Sequence, residues 1–357
     1  MAAGQAGLAH YYQMTSDSFW RRSDDSRFSA YKDLSEPESA TDWWALTAYR
    51  SDTADRYGWS SFSQDYSSIL IGYDSPSATK RWDGTLRQGA FYSMNTSTAY
   101  WGARPDVAAY GGGSDSMKDY GGGYVLHWAN DKDQHGEMVF RLSQVQHSFS
   151  YADSEGSSGL ATYRTWLPSL GLRYYQTKLL KNQFFWEPQV GFSLGYLPSY
   201  TVSGKNVSYE NDDKLLVMPH VGLMAGRAYT VNGHAGLAYG RIGWQYELNG
   251  ATHGEINNHD GEEDYANGGV KHDNWYDVTL GTSLSLGKDN KIWGELTRRD
   301  GEHLDPSWSV SGGLVLKWGG ASHTVRERMK ALKKDPHSLP LDPKKGNLDA
   351  KERMKNE

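Results

Sequence analysis

No cysteine occurs among the 357 residues, which excludes disulfides and thiolate metal sites and leaves the compartment open. No stretch approaches the ~18 consecutive apolar residues that a transmembrane helix requires, and mean hydropathy is −0.72. A helical membrane protein is thereby excluded. A membrane β-barrel is not, because half of each of its strands faces a wet lumen and its outer loops are polar. The opening "MAAGQAGLAHYYQ" has neither the basic start nor the apolar core of a secretory signal peptide. If the chain lives beyond the inner membrane, Met1 is therefore an artificial start or an excision point in a longer precursor. No basic segment interleaved with aromatics points to nucleic acid, and the Gly-rich stretch 110–123 lacks the Lys-Ser/Thr of a phosphate loop.

Glycine and aromatics are abundant instead: 40 Gly, 24 Tyr and 14 Trp. Net charge is −6, unevenly placed, because residues 319–357 carry 10 Lys+Arg against 6 Asp+Glu. That basic segment is of a different kind from the acidic body before it. Along the body, apolar residues alternate with period two in segments broken by Gly, Asp, Asn and Ser. The predicted strands are 42–52, 66–75, 83–95, 117–130, 137–150, 166–179, 183–198, 213–228, 233–248, 274–287, 290–301 and 307–318. An even dozen suits a closed antiparallel barrel, whose two ends return to one rim.

Several segments are two-sided. In 307–318, Trp308, Val310, Leu314, Leu316 and Trp318 share one face, and Ser307, Ser309, Ser311 and Lys317 lie on the other. In 184–196, Phe184, Trp186, Val190, Phe192 and Tyr196 oppose Glu187, Gln189 and Ser193. Segments 42–52 and 137–150 show no clear side. A soluble β-sandwich also alternates, but apolar faces that repeatedly begin or end in Trp or Tyr favour the interfacial girdles of a barrel. Arg173, Glu187, Gln189, Arg241 and Glu295 fall on polar faces and are expected to line the lumen. Connections after the second, sixth, eighth and tenth strands are short. Those after the first, third, seventh and ninth (53–65, 96–116, 199–212, 249–273) are longer, which puts both termini at the periplasmic rim.

In order and spacing these segments resemble the translocator β-domain of autotransporters, the twelve-stranded outer-membrane barrels of type V secretion. The resemblance rests on "ILIGYD" (69–74), "GGYVLHW" (122–128), "GEMVFRLSQVQHSF" (136–149), "WEPQVGFSLGY" (186–196), "IWGELTRRDG" (292–301) and "SWSVSGGLVLKW" (307–318). It implies an all-β, twelve-stranded antiparallel transmembrane barrel over 35–318 in the outer membrane of a Gram-negative-type cell. It also implies that residues 1–34 form a linker or helix running through the lumen from an N-terminal passenger. Arg21, Arg22 and Arg27 of that segment are expected to meet lumen carboxylates such as Glu187 or Glu295. Trp308, Leu314, Leu316 and Trp318 would form the terminal-strand signal read by the assembly machinery. Family members usually end at that aromatic. Here residues 319–357 follow, with "ERMK" at 327–330 and 352–355 and prolines at 336, 340 and 343. They read as a basic, partly helical periplasmic tail, either solvated or touching a cell-wall polymer or soluble partner.

"GFSLG" (191–195) fits G-x-S-x-G, but that motif needs a sharp strand-to-helix turn, and Ser193 stands mid-strand. His253, His259 and His272 lie among acids in 249–273 without recognisable ligand spacing. Some autotransporters cut their own passenger with an acidic residue against an Asn; that junction is not evident, and Glu187 reads as a structural lumen charge. The sequence therefore predicts a non-enzymatic translocator with no cofactor or metal, whose partners are outer-membrane lipid, its own passenger and the assembly machinery. A porin-like channel is the alternative, and an outer-membrane hydrolase a more distant one.

Overall fold

The computed structural model describes residues 43–57, 60–75, 79–101, 113–152, 158–203, 207–249, 252–258, 263–268, 273–286, 290–302 and 307–318. Twelve long strands make the wall. They are β1 (Trp43–Tyr57), β2 (Ser60–Asp74), β3 (Gly84–Trp101), β4 (Gly113–Asn130), β5 (Gln134–Ala152) and β6 (Ser158–Gln176). The second half comprises β7 (Phe184–Leu197), β8 (Lys214–Val231), β9 (His234–Glu247), β10 (Asp273–Ser285), β11 (Lys291–Gly301) and β12 (Ser307–Trp318). Each pairs antiparallel with its sequence neighbour, and β12 pairs with β1 in register from Trp43 opposite Trp318 to Thr53 opposite Trp308. The sheet is therefore a closed barrel with no free wall edge, the form in which strands satisfy their backbone groups in lipid.

Both ends of the wall, Trp43 and Trp318, lie at one rim, here the near rim. The links β2–β3, β4–β5, β6–β7, β8–β9 and β10–β11 lie there too. The tightest is Asn232-Gly233, two residues with positive φ (50° and 78°) between paired Val231 and His234. That dipeptide is favoured because positive φ at both positions matches the twist of the flanking strands. At the far rim, the strands Tyr200–Ser203, Val207–Asn211, Thr252–Asn258 and Glu263–Gly268 form a separate four-stranded sheet.

All twelve strands overlap their predicted spans, but several run further toward the far rim. Segment 53–65, expected as a long outer connection, is mostly ladder: β1 reaches Tyr57 and β2 starts at Ser60. In 96–116, β3 continues to Trp101 and β4 begins at Gly113. The reason is that backbone pairing continues beyond the apolar belt, where neither face is uniformly apolar and the period-two signal is lost.

Parity separates two chemistries. Outward positions carry Ile69, Tyr92, Phe140, Leu172, Val190, Ile242, Leu280, Val310 and Leu316, all exposed; Leu280 is 64% exposed while inward Glu187 is fully buried. Such an inverted pattern suits lipid outside and polar groups within. Aromatics bound the outer belt. At the near rim Tyr73, Trp43 and Trp318 stand side by side in register, with the Trp43 and Tyr73 rings 5.2 Å apart. Trp166, Tyr276 and Trp308 stand toward the far rim, also exposed, and Tyr100 stands further out on β3.

Candidate functional site: the barrel lumen

The inward face of every strand is set by the same alternation, so each lumen side chain is placed by a rigid ladder rather than by a loop. Polar groups there are bound to their neighbours around the wall. On β2–β5, Tyr66 Oη and Ser68 Oγ donate to Asn95 Oδ1 (3.2 and 2.6 Å), and Asn95 Nδ2 donates to Asp119 Oδ1 (3.2 Å). Arg141 pairs with the same Asp119, and its Nε donates to Ser93 Oγ at 3.1 Å. On β5–β6, Arg173 donates twice to Glu137 Oε2 (3.1 and 2.8 Å), and Tyr175 Oη donates to Oε1 (3.0 Å). Deeper toward the far rim His147 Nδ1 lies 2.9 Å from Asp115 Oδ2, with both side chains fully buried. Buried charges are tolerated when paired in this way, and each unmade bond would cost about 1–3 kcal/mol.

The other half of the wall repeats the arrangement. Glu187 accepts from Thr177 Oγ1 (2.6 Å) and Gln189 Nε2 (2.8 Å). Glu295 accepts from Tyr239 Oη at 2.6 Å and from Ser311 Oγ at 3.4 Å. Tyr239 reaches that carboxylate by lying across Gly281, where a Cβ would occupy its ring. Arg241 stands 3.7 Å from Asp277 and donates to Thr279 Oγ1 at 3.4 Å.

Charge does not fill the whole interior. Trp44, Leu46, Leu70, Phe91, Val125, Val139, Trp293 and Val315 form a buried inward-facing apolar cluster toward the near rim. Tyr66, Ala99, Met117, Val145, Leu167, Leu197, Leu216 and Met218 form another nearer the far rim. The lumen is thus banded, with hydrogen-bonded charges between apolar layers.

Of the residues singled out from sequence, Arg173, Glu187, Gln189, Arg241 and Glu295 all point inward. They are not gathered in one place: Glu187 and Gln189 touch each other, while Arg173 bonds to Glu137, Arg241 to Thr279 and Glu295 to Tyr239. Trp308, Leu314, Leu316 and Trp318 face outward and are exposed. Arg21, Arg22 and Arg27 lie outside the described residues. So does the tail 319–357.

Sequence reasoning missed the Asp119–Arg141 pair, Asn95, Glu137 and the His147–Asp115 pair. Along β5, Glu137, Arg141 and His147 share the inward parity with Val139 and Val145, so no polar stripe stood out. The sequence carries only opposite charges at inward positions of consecutive strands, and it takes the register to set Glu137 directly opposite Arg173. Ser193 sits in regular ladder between Gly171 and Met218, without the turn a nucleophile needs. Among the described residues no cluster of His, Cys, Asp or Glu could hold a metal ion. His253 and Glu255 lie on the Thr252–Asn258 strand, and His259 and His272 lie outside the described residues.

A closed twelve-stranded barrel, apolar without and hydrogen-bonded within, is an outer-membrane-type barrel. The family model of the autotransporter β-domain matches residues 43–297, and the chain belongs to that family, the translocator barrels of the bacterial outer membrane. Its fold is similar to three solved structures. The β-domain of the Bordetella autotransporter BrkA is 19% identical with TM-score 0.58, over 78% of this chain and 100% of that one. The transport unit of AIDA-I from Escherichia coli is 12% identical with TM-score 0.59, over 80% and 92%. The translocator domain of NalP from Neisseria meningitidis is 12% identical with TM-score 0.56, over 86% and 99%. No curated protein was found to match the chain in sequence.

Proposed function

We propose that the barrel exports a passenger joined ahead of β1, and that its work is mechanical rather than catalytic. The observation that carries this is the pairing of Trp43 with Trp318 at the rim of short connections. A chain leading into β1 joins the barrel at that rim, and a lumen of hydrogen-bonded charges between apolar layers stands between it and the far rim. In this reading the near rim is periplasmic, so both ends of the barrel lie in the periplasm before export. Residues 1–34 then serve as the linker through the lumen of the 35–318 barrel. Arg21, Arg22 and Arg27 would exchange charge-assisted hydrogen bonds with groups such as Glu187 and Glu295, while Arg173, Gln189 and Arg241 present further polar contacts. Trp308, Leu314, Leu316 and Trp318, aligned on the lipid face of the closing strand, form the surface that the assembly machinery reads. The basic segment 319–357 is a periplasmic tail able to meet an anionic polymer or soluble partner.

The test is a reporter with a secretory signal fused ahead of residue 1 and followed in intact cells by added protease. Reporter cleavage in cells whose barrel is assembled supports export. A reporter that stays protected behind an assembled barrel refutes it. Ion conductance of 35–318 compared with 1–318 separates the translocator from an open channel, because a lumen segment suppresses conductance.

A further inference from the structure

We propose that the outer face of β3–β6, just beyond the apolar belt on the far-rim side, is a binding site for the phosphorylated sugar headgroup of a membrane glycolipid, held by Lys118 and Arg164. The inference rests on the reading above that the far rim faces outward.

The site is built by register. Thr96, Lys118, Gln146 and Arg164 stand opposite one another on consecutive strands, forming one row across the wall. Lys118 and Arg164 point outward and are exposed, since Met117, Asp119, Tyr163 and Thr165 on either side of them are buried inward. With neighbouring strands ~4.8 Å apart, the two Cα atoms are separated by ~10 Å, within reach of one phosphate group between their long side chains. The row nearer the belt is Met94, Tyr120, Gln144 and Trp166, whose Met, Tyr and Trp are exposed apolar surface. The row on the other side is Thr98, Ser116, Ser148 and Thr162, four hydroxyls; in the row after it Ser114 and Ser150, their hydroxyls 2.7 Å apart, stand between the exposed Tyr100 and Leu160. Over these three rows the face reads apolar and aromatic, then cationic, then hydroxylic, with Tyr100 and Leu160 flanking the serines of the next row. That sequence matches acyl chain, phosphate and sugar in order.

Charge sign makes the case specific. Among the described residues of β3–β6 no carboxylate points outward beyond the belt; Asp115 and Asp119 face in. The nearest outward acid, Asp65 on β2, lies two strands from Lys118 and accepts a hydrogen bond from Tyr49 Oη at 3.1 Å. Other outward cations are differently placed: Arg298 lies over the Trp308 ring and Arg227 over the Phe184 ring. Two cations held at a lipid boundary with no outward carboxylate on their own strands or the strand between them attract an anionic headgroup, and Arg adds paired donors that suit phosphate.

The test uses the full chain refolded in neutral detergent micelles and titrated with a bis-phosphorylated glycolipid, its dephosphorylated form, phosphatidylglycerol and inorganic phosphate. The readout is the fraction of lipid-bound protein by native mass spectrometry. The K118Q/R164Q variant should bind the phosphorylated glycolipid on the order of 25-fold more weakly, about fivefold for each cation. R298Q should bind it as the unaltered protein does, and removal of the phosphates should equalise all three proteins. If the double variant fails to refold, K118Q and R164Q singly should each lose about fivefold. Equal binding by variant and unaltered protein, or an equal loss in R298Q, overturns the site. Tighter binding of phosphatidylglycerol through the same pair overturns the glycolipid as its occupant, and competition by dilute inorganic phosphate reassigns it to the free anion. No export occurs in this assay, so a failed reporter experiment with intact lipid binding, or the reverse, distinguishes the two proposals.

Discussion

Closure of the barrel depends on a glycine at the seam. Gly313 of β12 faces inward opposite Ala48 of β1 and Trp293 of β11. A Cβ built there would fall on the carbonyl oxygen of Thr47, with Trp293 Nε1 3.0 Å away. The obstacle is backbone, so no rotamer change relieves it. Leu314 N at this level donates to the Thr47 side chain at 3.3 Å, so the two strands are held close by a bond that the added methyl would strain. Gly312, one residue earlier, differs: its Cβ would meet Trp293 O at 3.2 Å and Gly294 Cα at 4.0 Å, a crowding that a shift of a few tenths of an ångström relieves. Overpacking costs about 1–3 kcal/mol where side chains can yield. G313A, against backbone, is expected at or above the top of that range. G312A is expected near neutral, because alanine recovers about 0.5–1 kcal/mol of glycine's strand penalty. A difference of about 2 kcal/mol is a factor of roughly 30 in the folded-to-unfolded ratio. Urea titration of the full chain in lipid vesicles, read by heat-modifiable electrophoretic mobility, measures it. Coincident midpoints for G312A and G313A would refute the reasoning, because the two substitutions remove the same flexibility and differ only in what the methyl meets.

Two further substitutions probe the inward and outward faces. E137A removes the carboxylate that accepts from Arg173 and Tyr175 among side chains 2–3% exposed, and is expected to lower stability by about 3 kcal/mol. The E137A/R173L pair should recover part of the loss in the same urea assay; a double variant as unstable as the sum of the singles would show that the pair is not the unit of stability. L280R puts a cation on the lipid face midway along β10 and should cost about 2–4 kcal/mol in vesicles. Unchanged stability of L280R in vesicles would show that this face does not meet hydrocarbon.

Parity was legible wherever one face of a strand was uniformly apolar. On β12, Trp308, Val310, Leu314, Leu316 and Trp318 announce the lipid side, and the structure puts all five outward. On β1 the same reading gave no side, because Trp44, Leu46 and Ala48 point inward while Trp43 and Ala45 occupy the outward parity. The cause is the apolar layer toward the near rim. Trp44 and Leu46 pack there against Leu70, Phe91 and Trp293, so a rule that equates inward with polar fails locally. The ends of β1, β2, β3 and β4 were cut short for a related reason: outside the membrane neither parity is selected for oil, and only backbone pairing marks the strand.

Register was the harder quantity, and the lumen chemistry depends on it. Nothing within β5 indicates that Glu137 faces Arg173, 36 residues later; periodicity assigns a side chain to a face but not to a height. Each hairpin fixes one offset, and a shift of two residues would preserve every face while separating that ion pair. The twelve offsets are not independent, however. They must sum so that β12 meets β1, which here sets Trp43 beside Trp318 and Thr53 beside Trp308. A slip in one hairpin must therefore be absorbed elsewhere in the ring or break the seam at Gly313. The buried pairs Asp119–Arg141, Glu137–Arg173 and Glu295–Tyr239 each oppose such a slip, because moving either strand would strand a charge in the interior. The lumen charges thus help specify the closed wall that a passenger needs, whether or not they ever touch it.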